Sequence, residues 1–331
     1  MVAPPAAGGM AGMAGAMRSG RARVSAARQF GTVMGLVALS AMLWALTPHF
    51  LTVSNLLNVA QQTSINAVVA AGMTYVIISG GIDLSVGSIV ALSGVVLGVA
   101  LQSGQALPVA LALGASVGVA CGMVNGALIS WGGLPPFIVT LGMMSVARGA
   151  ALLFTEGRPV SGFDPGFRSI ATGTVFFIPA PILVMAGVYL AAHLVLSRTI
   201  FGRYVYAIGG NEEATRLSGV NVRFHKMMIY GVSGLMSAVA AVLLTARLNS
   251  AQPIAGMMYE LDAIAATVIG GTSLMGGGGT LAGTLVGALI MGVLRNGLNL
   301  LGVSSFLQQI VIGAVIVGAV LIDTLLKRRR G

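Results

Sequence analysis

Charged side chains cluster in one short stretch, YAIGGNEEATRLSGVNVRFHK at 206–226, although only 8% of the 331 residues are charged. No Ser–His–Asp order and no metal-ligand spacing accompanies them, so the chemistry they offer is charge pairing and helix capping rather than catalysis. The charged residues of this stretch lie within fifteen positions and are Glu212, Glu213, Arg216, Arg223 and Lys226.

The same stretch has the features of a short helix exposed to water. Asn211 can cap its start, and the two glutamates that follow suit the positive N-terminal end of a helix. Gly219 can end the helix in a left-handed turn. Ala214 and Leu217 are three positions apart, so they would share one face and could enter a groove on a partner. An ordinary solvated connector is the alternative at this point.

The elements that must position this stretch are apolar. The chain is 56% hydrophobic, its mean hydropathy is +0.94, and it has 48 glycines. One soluble core cannot bury that much apolar surface, whereas lipid can cover it, so the sequence predicts an integral membrane protein. Continuous apolar runs favour an all-α polytopic fold over a β-barrel. The runs predict about ten spans, at 31–47, 56–78, 84–102, 108–129, 136–154, 177–197, 227–246, 261–275, 281–298 and 305–325.

The basic residues orient these spans. A net charge of +10 would suggest nucleic acid for a soluble domain, but here the basic residues flank apolar runs and indicate the cytoplasmic side of a membrane. With the N-terminus inside, 13 of the 18 Lys and Arg lie in the inner segments 1–30, 198–226 and 326–331. Ten spans then leave both termini in the cytoplasm. The predicted units are a disordered basic tail at 1–29, a membrane domain at 30–326 and a basic end at 327–331.

Two glycine-rich segments interrupt the apolar pattern. ISGGIDLSVGS at 78–88 and VIGGTSLMGGGGTLAG at 268–283 align at an offset of 190 as a weak internal repeat. Glycines break helices, and Asp83 and Ser85 are placed to cap the helix that follows the first segment. Such breaks in both halves point to a transport pathway, because unwound backbone at membrane depth must line a cavity or be buried in protein. Tight helix packing is the alternative for any single glycine.

Nucleotide hydrolysis and metal chemistry are not expected on this polypeptide. It contains no G-x-x-x-x-G-K-[ST] motif, and neither of its two lysines fits one. His49, His193 and His225 are scattered, without Cys or carboxylates at ligand spacing. The single Cys121 lies in an apolar run and can form no internal disulfide. We therefore expect no catalytic residue, no cofactor and no metal on this chain.

Three longer stretches carry a resemblance to a known family. They are QQTSINAVVAAGMTYVIISGGIDLSVGSIVAL at 61–92, YAIGGNEEATRLSGVNV at 206–222 and SAQPIAGMMYELDAIAATVIGGTSLMGGGGTLAGTLVGALIMGVLRNGLNLLGVSS at 250–305. In this order they resemble the permease subunit of bacterial ATP-binding-cassette importers for ribose and related monosaccharides, from about residue 30 to 325. The tail at 1–29 lies outside the resemblance.

The resemblance implies partners and a location. The permease would be a homodimer in the bacterial inner membrane, with two cytoplasmic ATPase domains that bind ATP and Mg and are often fused in one chain. A periplasmic sugar-binding protein would deliver the substrate, and ribose is the best single guess. The loop 198–226 would carry a short helix that couples the permease to the ATPase. The matching residues are Asn211, Glu212, Glu213, Ala214, Thr215, Arg216, Leu217, Ser218 and Gly219.

A neutral sugar needs amides, hydroxyls and aromatic faces along its path rather than fixed charge. Interhelical hydrogen bonding is the alternative role for the amides, and helix capping is the alternative for the one acid. The candidates on the predicted spans and the first glycine segment are Gln61, Gln62, Asn66, Asp83, Asn125, Phe137, Asn296 and Asn299.

The predicted outer face has basic residues of its own. Arg158, Arg168 and Arg247 could meet acidic residues of a binding protein, where charge pairing steers docking. The alternative is that Arg158 and Arg168 form ion pairs within their own loop, with Glu156 and Asp164.

Two other classes of function stay open. A secondary carrier or facilitator for a small polar solute would share the glycine breaks, but it would usually have paired ionisable groups inside helices, and the sequence offers almost none. A scaffold without transport would have little use for two broken segments. We therefore expect an all-α permease that moves a monosaccharide inward by alternating access while partner ATPases hydrolyse ATP.

Overall fold

The computed structural model describes residues 30–328, so the predicted tail at 1–29 and the last residues, 329–331, lie outside the described part. Within 30–328 the chain is mostly helical, with thirteen helices and four two-residue strands, which confirms the predicted helical class. The helices are α1 Phe30–Leu46, α2 Val53–Ile78, α3 Val86–Gln102, α4 Leu107–Ser130, α5 Pro136–Thr155, α6 Pro165–Thr172, α7 Ala180–Arg198, α8 Ile200–Gly210, α9 Glu212–Leu217, α10 Val222–Leu248, α11 Tyr259–Ile269, α12 Leu281–Leu300 and α13 Ser305–Arg328. The strands are β1 Val160–Ser161, β2 Thr174–Val175, β3 Ile178–Pro179 and β4 Ser250–Ala251.

Five of these helices, α4, α5, α7, α10 and α12, are long and apolar enough to cross a membrane, and three shorter apolar helical stretches are Phe30–Leu46, Val86–Gln102 and Ser305–Gly318. The chain is therefore a multi-pass membrane protein. The span predicted at 261–275 is cut short, because α11 has 11 residues. At 1.5 Å per residue this helix is about 16 Å long, roughly half the hydrocarbon thickness of a bilayer. The count of ten spans stays a prediction.

Helix α2 forms the centre of the bundle, where α7, α10, α11 and α12 pack against it. Its C-terminal half is enclosed, and Tyr75 is 1% exposed. The hydroxyl of Tyr75 donates to the carbonyl of Ala192 on α7, and the hydroxyl of Tyr189 on α7 donates to the carbonyl of Ala67 at 2.9 Å. Buried tyrosines need such partners, so these two bonds fix the pairing of α2 with α7.

Helices α4 and α10 approach each other backbone to backbone. A methyl group on Gly122 would collide with the carbonyl oxygen of Tyr230, and one on Gly234 would collide with that of Gly118. Small residues permit this close contact between membrane helices. The packing alternative considered for single glycines therefore holds for these positions, which lie outside the two glycine-rich segments.

Short strands close the end of the molecule opposite the charged stretch. β1 pairs antiparallel with β4, with Val160 opposite Ala251, and β2 pairs with β3 as a hairpin. The first pair joins the loop after α5 to the end of α10. The loop that carries Arg158 is thereby held near the C-terminal end of the helix that carries Arg247.

Candidate functional site

The charged stretch of the sequence contains the end of α8, the whole of α9 and the start of α10. Helix α9 begins as predicted, because Asn211 Oδ1 accepts from the backbone N–H of Ala214 at 2.9 Å. Its end is also as predicted: Gly219 has a left-handed backbone, with φ +84, and its N–H donates to the carbonyl of Arg216 at 3.0 Å. The segment 211–219 is therefore a short helix capped at both ends, as predicted.

Ion pairs hold this helix in place. Glu213 pairs with Arg216 at 2.7 Å, and both side chains are exposed. Glu212 pairs with Lys226 at 2.6 Å, and the Lys226 side chain is only 17% exposed. Exposed pairs contribute roughly 0–1 kcal/mol, so the pair within α9 adds little. The pair between Glu212 and Lys226 connects the start of α9 to α10, and it therefore fixes the position of α9 on the bundle.

The two sides of α9 differ. Thr215 faces the protein and is 7% exposed, and its hydroxyl donates to the carbonyl of Asn211 at 2.7 Å. Leu217 is 78% exposed and Ala214 is exposed as well. An apolar side chain on a charged, water-facing helix has no packing partner within the described part of this chain. The geometry can present Ala214 and Leu217 to another protein.

The segment that precedes α9 contacts both glycine-rich segments. The N–H of Gly277 donates to the carbonyl of Ile78 at 2.8 Å, so the two segments are bonded to each other. Gly209 at the end of α8 lies against this bond, and a methyl group there would collide with the Ile78 carbonyl. The Tyr206 hydroxyl donates to the carbonyl of Gly279 at 2.8 Å. Burial raises the pKa of Tyr206, so this hydroxyl keeps its proton at neutral pH.

The two glycine-rich segments end their preceding helices in the same way. After α2, the N–H groups of Gly80 and Gly81 donate to the carbonyls of Ile77 and Val76. After α11, the N–H groups of Gly271 and Thr272 donate to those of Val268 and Thr267. Both are Schellman turns with a left-handed glycine, Gly80 at φ +83 and Gly271 at φ +91. In the two turns Gly80 corresponds to Gly271, which is 191 positions later. The sequence repeat was aligned at an offset of 190, so the two alignments differ by one residue.

A cavity of about 250 Å³ lies where these elements meet. It is bounded by the first glycine segment at Gly80 and Gly81, by the end of α8 at Gly209, and by the Glu212–Lys226 pair. The walls are mostly backbone and polar side chains. The capped helix, α10 and the first glycine segment thus share one polar space.

Two of the predicted pathway residues, Asp83 and Asn125, are fully enclosed and 0% exposed. Asp83 accepts from the N–H of Ser85 at 3.0 Å and from the hydroxyl of Ser233 at 2.8 Å, and Asn125 donates to the Ser85 hydroxyl at 2.9 Å. This network joins the start of α3 to α4 and α10. The capping prediction is right for Asp83 but wrong for Ser85, whose side chain makes no cap bond.

The amides of α12 also bond between helices. Asn296 exchanges two hydrogen bonds with Asn55 on α2, at 2.9 and 3.0 Å, and it is 7% exposed. Asn299 accepts from Gln308 on α13 at 2.8 Å. Phe137, at the start of α5, is 54% exposed and lies apart from these amides. The interhelical role that we considered as the alternative therefore describes Asn296 and Asn299 in this structure.

An ion pair between α11 and α12 was not predicted from the sequence. Arg295 on α12 bonds Asp262 on α11 at 2.7 Å, and Asn66 on α2 donates to Asp262 at 3.1 Å. This is one paired set of ionisable groups inside helices, in a chain for which almost none was expected. The signal was present as Asp262 in YELDAIAA and Arg295 in GVLRNGLN, in two separate apolar runs.

A small cavity of about 30 Å³ adjoins this pair. Gln62, Thr63 and Asn66 of α2 line it together with Asp262 and Arg295. Gln61 is half-buried and Gln62 exposed. Two of the predicted pathway residues, Gln62 and Asn66, therefore lie on one face of α2 beside the charged pair, whereas Gln61 does not line the cavity.

At the opposite end of the bundle, Arg158 and Arg168 are exposed and Arg247 is half-buried in the last turn of α10. Within residues 30–328, neither loop arginine forms an ion pair with Glu156 or Asp164. Across the same residues, no three His, Cys, Asp or Glu side chains come together as a metal site.

A polytopic helical bundle with two bonded glycine segments, a polar face inside it and a capped helix projecting from it defines a membrane permease. The chain belongs to the family of permease components of the branched-chain amino acid transport system, whose model matches residues 55–320. No solved structure matches the chain.

Curated relatives cover nearly the whole chain. The ribose import permease protein of Escherichia coli K12 is 49% identical over 300 residues, which are 88% of this chain and 92% of that protein. The ribose import permease protein of Bacillus subtilis 168 is 49% identical over 298 residues, which are 89% and 92% of the two chains. The D-allose transport system permease protein of Escherichia coli K12 is 38% identical over 302 residues, which are 91% and 93%.

Proposed function

We propose that this chain is the transmembrane subunit of an ATP-binding-cassette importer that moves a monosaccharide into the cytoplasm, with ribose as the best guess. Relatives named ribose import permease share 49% of its residues over most of both chains. The structural observation that carries the proposal is the capped helix 211–219. It has an exposed apolar face, and the segment before it is bonded to the glycine-rich segments.

We further propose that the chain crosses the bacterial inner membrane ten times, with both termini in the cytoplasm. Five long apolar helices and three shorter ones support a polytopic arrangement, and the distribution of Lys and Arg supports the orientation. The membrane domain is 30–326, the basic tail is 1–29 and the basic end is 327–331. On this topology the loop 198–226 is cytoplasmic, and the β1–β4 pair is periplasmic.

The proposed complex has two copies of this permease, two cytoplasmic ATPase domains and one periplasmic sugar-binding protein. The residues of 211–219 contact the ATPase, and ATP with Mg binds there and not on this chain. Arg158, Arg168 and Arg247 receive the binding protein, which supplies acidic residues. The lack of ion pairs between the loop arginines and Glu156 or Asp164 supports this assignment over local pairing.

In this mechanism the ATPase acts on the sugar path through α8. When nucleotide closes the ATPase dimer, the groove that holds Leu217 moves, and α9 moves with it. Helix α8 follows because it continues directly into Asn211. Gly209 and Tyr206 then displace the glycine segments, whose glycines can adopt backbone conformations closed to other residues. This displacement would open the sugar path to one side of the membrane and close it to the other, in alternation.

One observation keeps a second function in view. Secondary carriers commonly couple transport to ions through charged pairs inside the membrane, and Asp262 with Arg295 is such a pair. A carrier would work without an ATPase. The family membership and the projecting helix favour the importer.

Uptake in proteoliposomes tests the proposal. The permease is reconstituted with its ATPase, and labelled ribose is added outside with the sugar-binding protein. We expect accumulation only with ATP and Mg inside, at the face where the ATPase lies, and no accumulation when the ATPase is omitted. Accumulation driven by a proton or sodium gradient without the ATPase contradicts the importer and supports the carrier.

A further inference from the structure

We infer that Thr63, Asn66 and Arg295 form a hydroxyl-binding subsite on the sugar path, with Asp262 as the residue that positions Arg295 and Asn66. The inference rests on the proposed function and adds the residues that touch the substrate. Of these four, the sequence analysis identified only Asn66.

The charge of Arg295 makes a lipid-facing position unfavourable for this site. Arg295 lies five residues before the end of α12, a candidate membrane span, and its side chain is 41% exposed. Gln62 beside it is exposed as well. An arginine that faces lipid within a span costs several kcal/mol, so such residues face a water-filled path or another protein surface. This side of α2 and α12 therefore borders the path or the second permease subunit.

Two residues that line the small cavity, Thr63 and Asn66, have unused hydrogen-bonding groups. Thr63 is 3% exposed, and neither its hydroxyl nor the Asn66 carbonyl oxygen has a hydrogen-bond partner. Buried polar atoms without partners are costly and rare in native proteins, so each requires an explanation. Both bonds from Arg295 to Asp262 come from one terminal nitrogen, which leaves the guanidinium further N–H donors.

These groups define the chemistry of the ligand. The Asn66 oxygen can only accept, the Arg295 nitrogens can only donate, and the Thr63 hydroxyl can do both. A ligand group that satisfies all three must donate and accept at once, as a hydroxyl does. A neutral polyol provides several hydroxyls on adjacent carbons. An anion would satisfy Arg295 but would repel Asp262 and the Asn66 oxygen.

The cavity volume fits the edge of a sugar and not the whole ring. A volume of about 30 Å³ holds one or two atoms of the size of a water molecule. The ring of the sugar would then remain in the path, beside Gln62 and Arg295, while one hydroxyl enters between Thr63 and Asn66. A methyl group on Gly292 would collide with Thr63 Oγ1, so the cavity depends on glycine at that position.

The test removes one hydroxyl from the protein and one from the sugar. Thr63→Val keeps the shape of the side chain and loses the hydrogen bond. Thr267→Val is the matched control, because Thr267 is equally buried and its hydroxyl bonds only the carbonyl of Ala263 in its own helix, at 2.7 Å. Transport rates are measured in the reconstituted importer, at saturating sugar-loaded binding protein, for ribose and for its series of monodeoxy analogues.

We expect Thr63→Val to lower the ribose rate about tenfold, the effect of one lost hydrogen bond of about 1.4 kcal/mol, and Thr267→Val to change it less than twofold. One deoxy analogue should be transported equally by wild type and Thr63→Val, because it lacks the hydroxyl that the site binds. Gly292→Ala should have the same selectivity as Thr63→Val.

Two results overturn the subsite. If Thr63→Val behaves like Thr267→Val with every sugar, the cavity holds water only. If it slows all the deoxy analogues as much as ribose, the role of Thr63 is structural. These results differ from failure of the proposed function, in which the wild-type importer itself transports none of the sugars.

Discussion

Replacing Leu217 with alanine tests the contact between α9 and the ATPase, because this side chain is 78% exposed in the permease. Leu217→Ala should hardly change the stability of the permease alone, because substitutions at exposed positions usually change the free energy of unfolding by less than about 0.5 kcal/mol. In the complex the same side chain would be buried in the groove of the ATPase. Leu217→Ala should therefore weaken assembly and leave folding unchanged.

The size of the effect follows from the apolar surface removed. Alanine lacks three carbons of leucine, and burial of each is worth about 0.8 kcal/mol, so complete burial would contribute about 2.4 kcal/mol. About four-fifths of the Leu217 surface is still free to be buried, which leaves roughly 2 kcal/mol. That energy corresponds to an increase of about 30-fold in the dissociation constant.

The assay is equilibrium binding of the purified ATPase to the permease in nanodiscs, with the permease amount checked by size-exclusion chromatography. Leu153→Ala is the matched control, since Leu153 is 82% exposed and lies near the end of α5, away from α9. We expect wild-type affinity for this control. Equal affinities for Leu217→Ala and wild type would refute the assignment of this face to the ATPase.

Two further predictions concern topology and the outer face. Cysteines introduced singly at Ser218 and Gly331 should be protected from an impermeant thiol reagent in intact cells, whereas one at Ser161 should react, because the Lys and Arg distribution places the first two inside; labelling at Ser218 would contradict the ten-span topology. Arg158→Glu combined with Arg168→Glu should lower the association rate of the binding protein at least tenfold at low salt and weaken the salt dependence of that rate, because charge steering is reversed. An unchanged rate and salt dependence would assign these arginines no part in docking.

The local structure of the charged stretch was predictable because it depends on neighbouring residues. Asn211 and Gly219 determine the two ends of α9 through their own backbone preferences, whatever the rest of the fold does. Capping by Asp83 follows from the same kind of local rule. The apolar runs likewise predicted a helical membrane protein, since run length alone distinguishes spans from soluble helices.

Contacts between distant segments could not be predicted from the sequence. The bond between Gly277 and Ile78 joins residues almost 200 positions apart, and nothing near either residue indicates the other. The Asp262–Arg295 pair was not predicted for a different reason. Each residue stands alone in its apolar run, and only the packing of α11 against α12 shows that their charges neutralise each other.

The pathway candidates show the same division. Residue type was a sound reason to select Asn125 and Asn296, but amides serve buried helix contacts and sugar contacts equally well. Exposure separates these roles: Asn125 is 0% exposed and donates to Ser85 in the interior, while Gln62 is exposed beside a cavity. The exposure of a single side chain depends on how several helices pack together. It therefore cannot be predicted from the residue types of one segment.

ATP-driven ribose accumulation by the Ala214→Asp variant tests the central claim most directly. Ala214 is exposed on α9, so an aspartate there should leave folding and membrane insertion unchanged. In the complex it would place an unpaired charge in an apolar contact, at a cost of several kcal/mol. We predict normal abundance in the membrane, loss of the ATPase on co-purification, and less than a tenth of wild-type accumulation. Wild-type accumulation with the ATPase still bound would show that the segment 211–219 is only a connector, and would contradict the proposed coupling of this permease to an ATPase through α9.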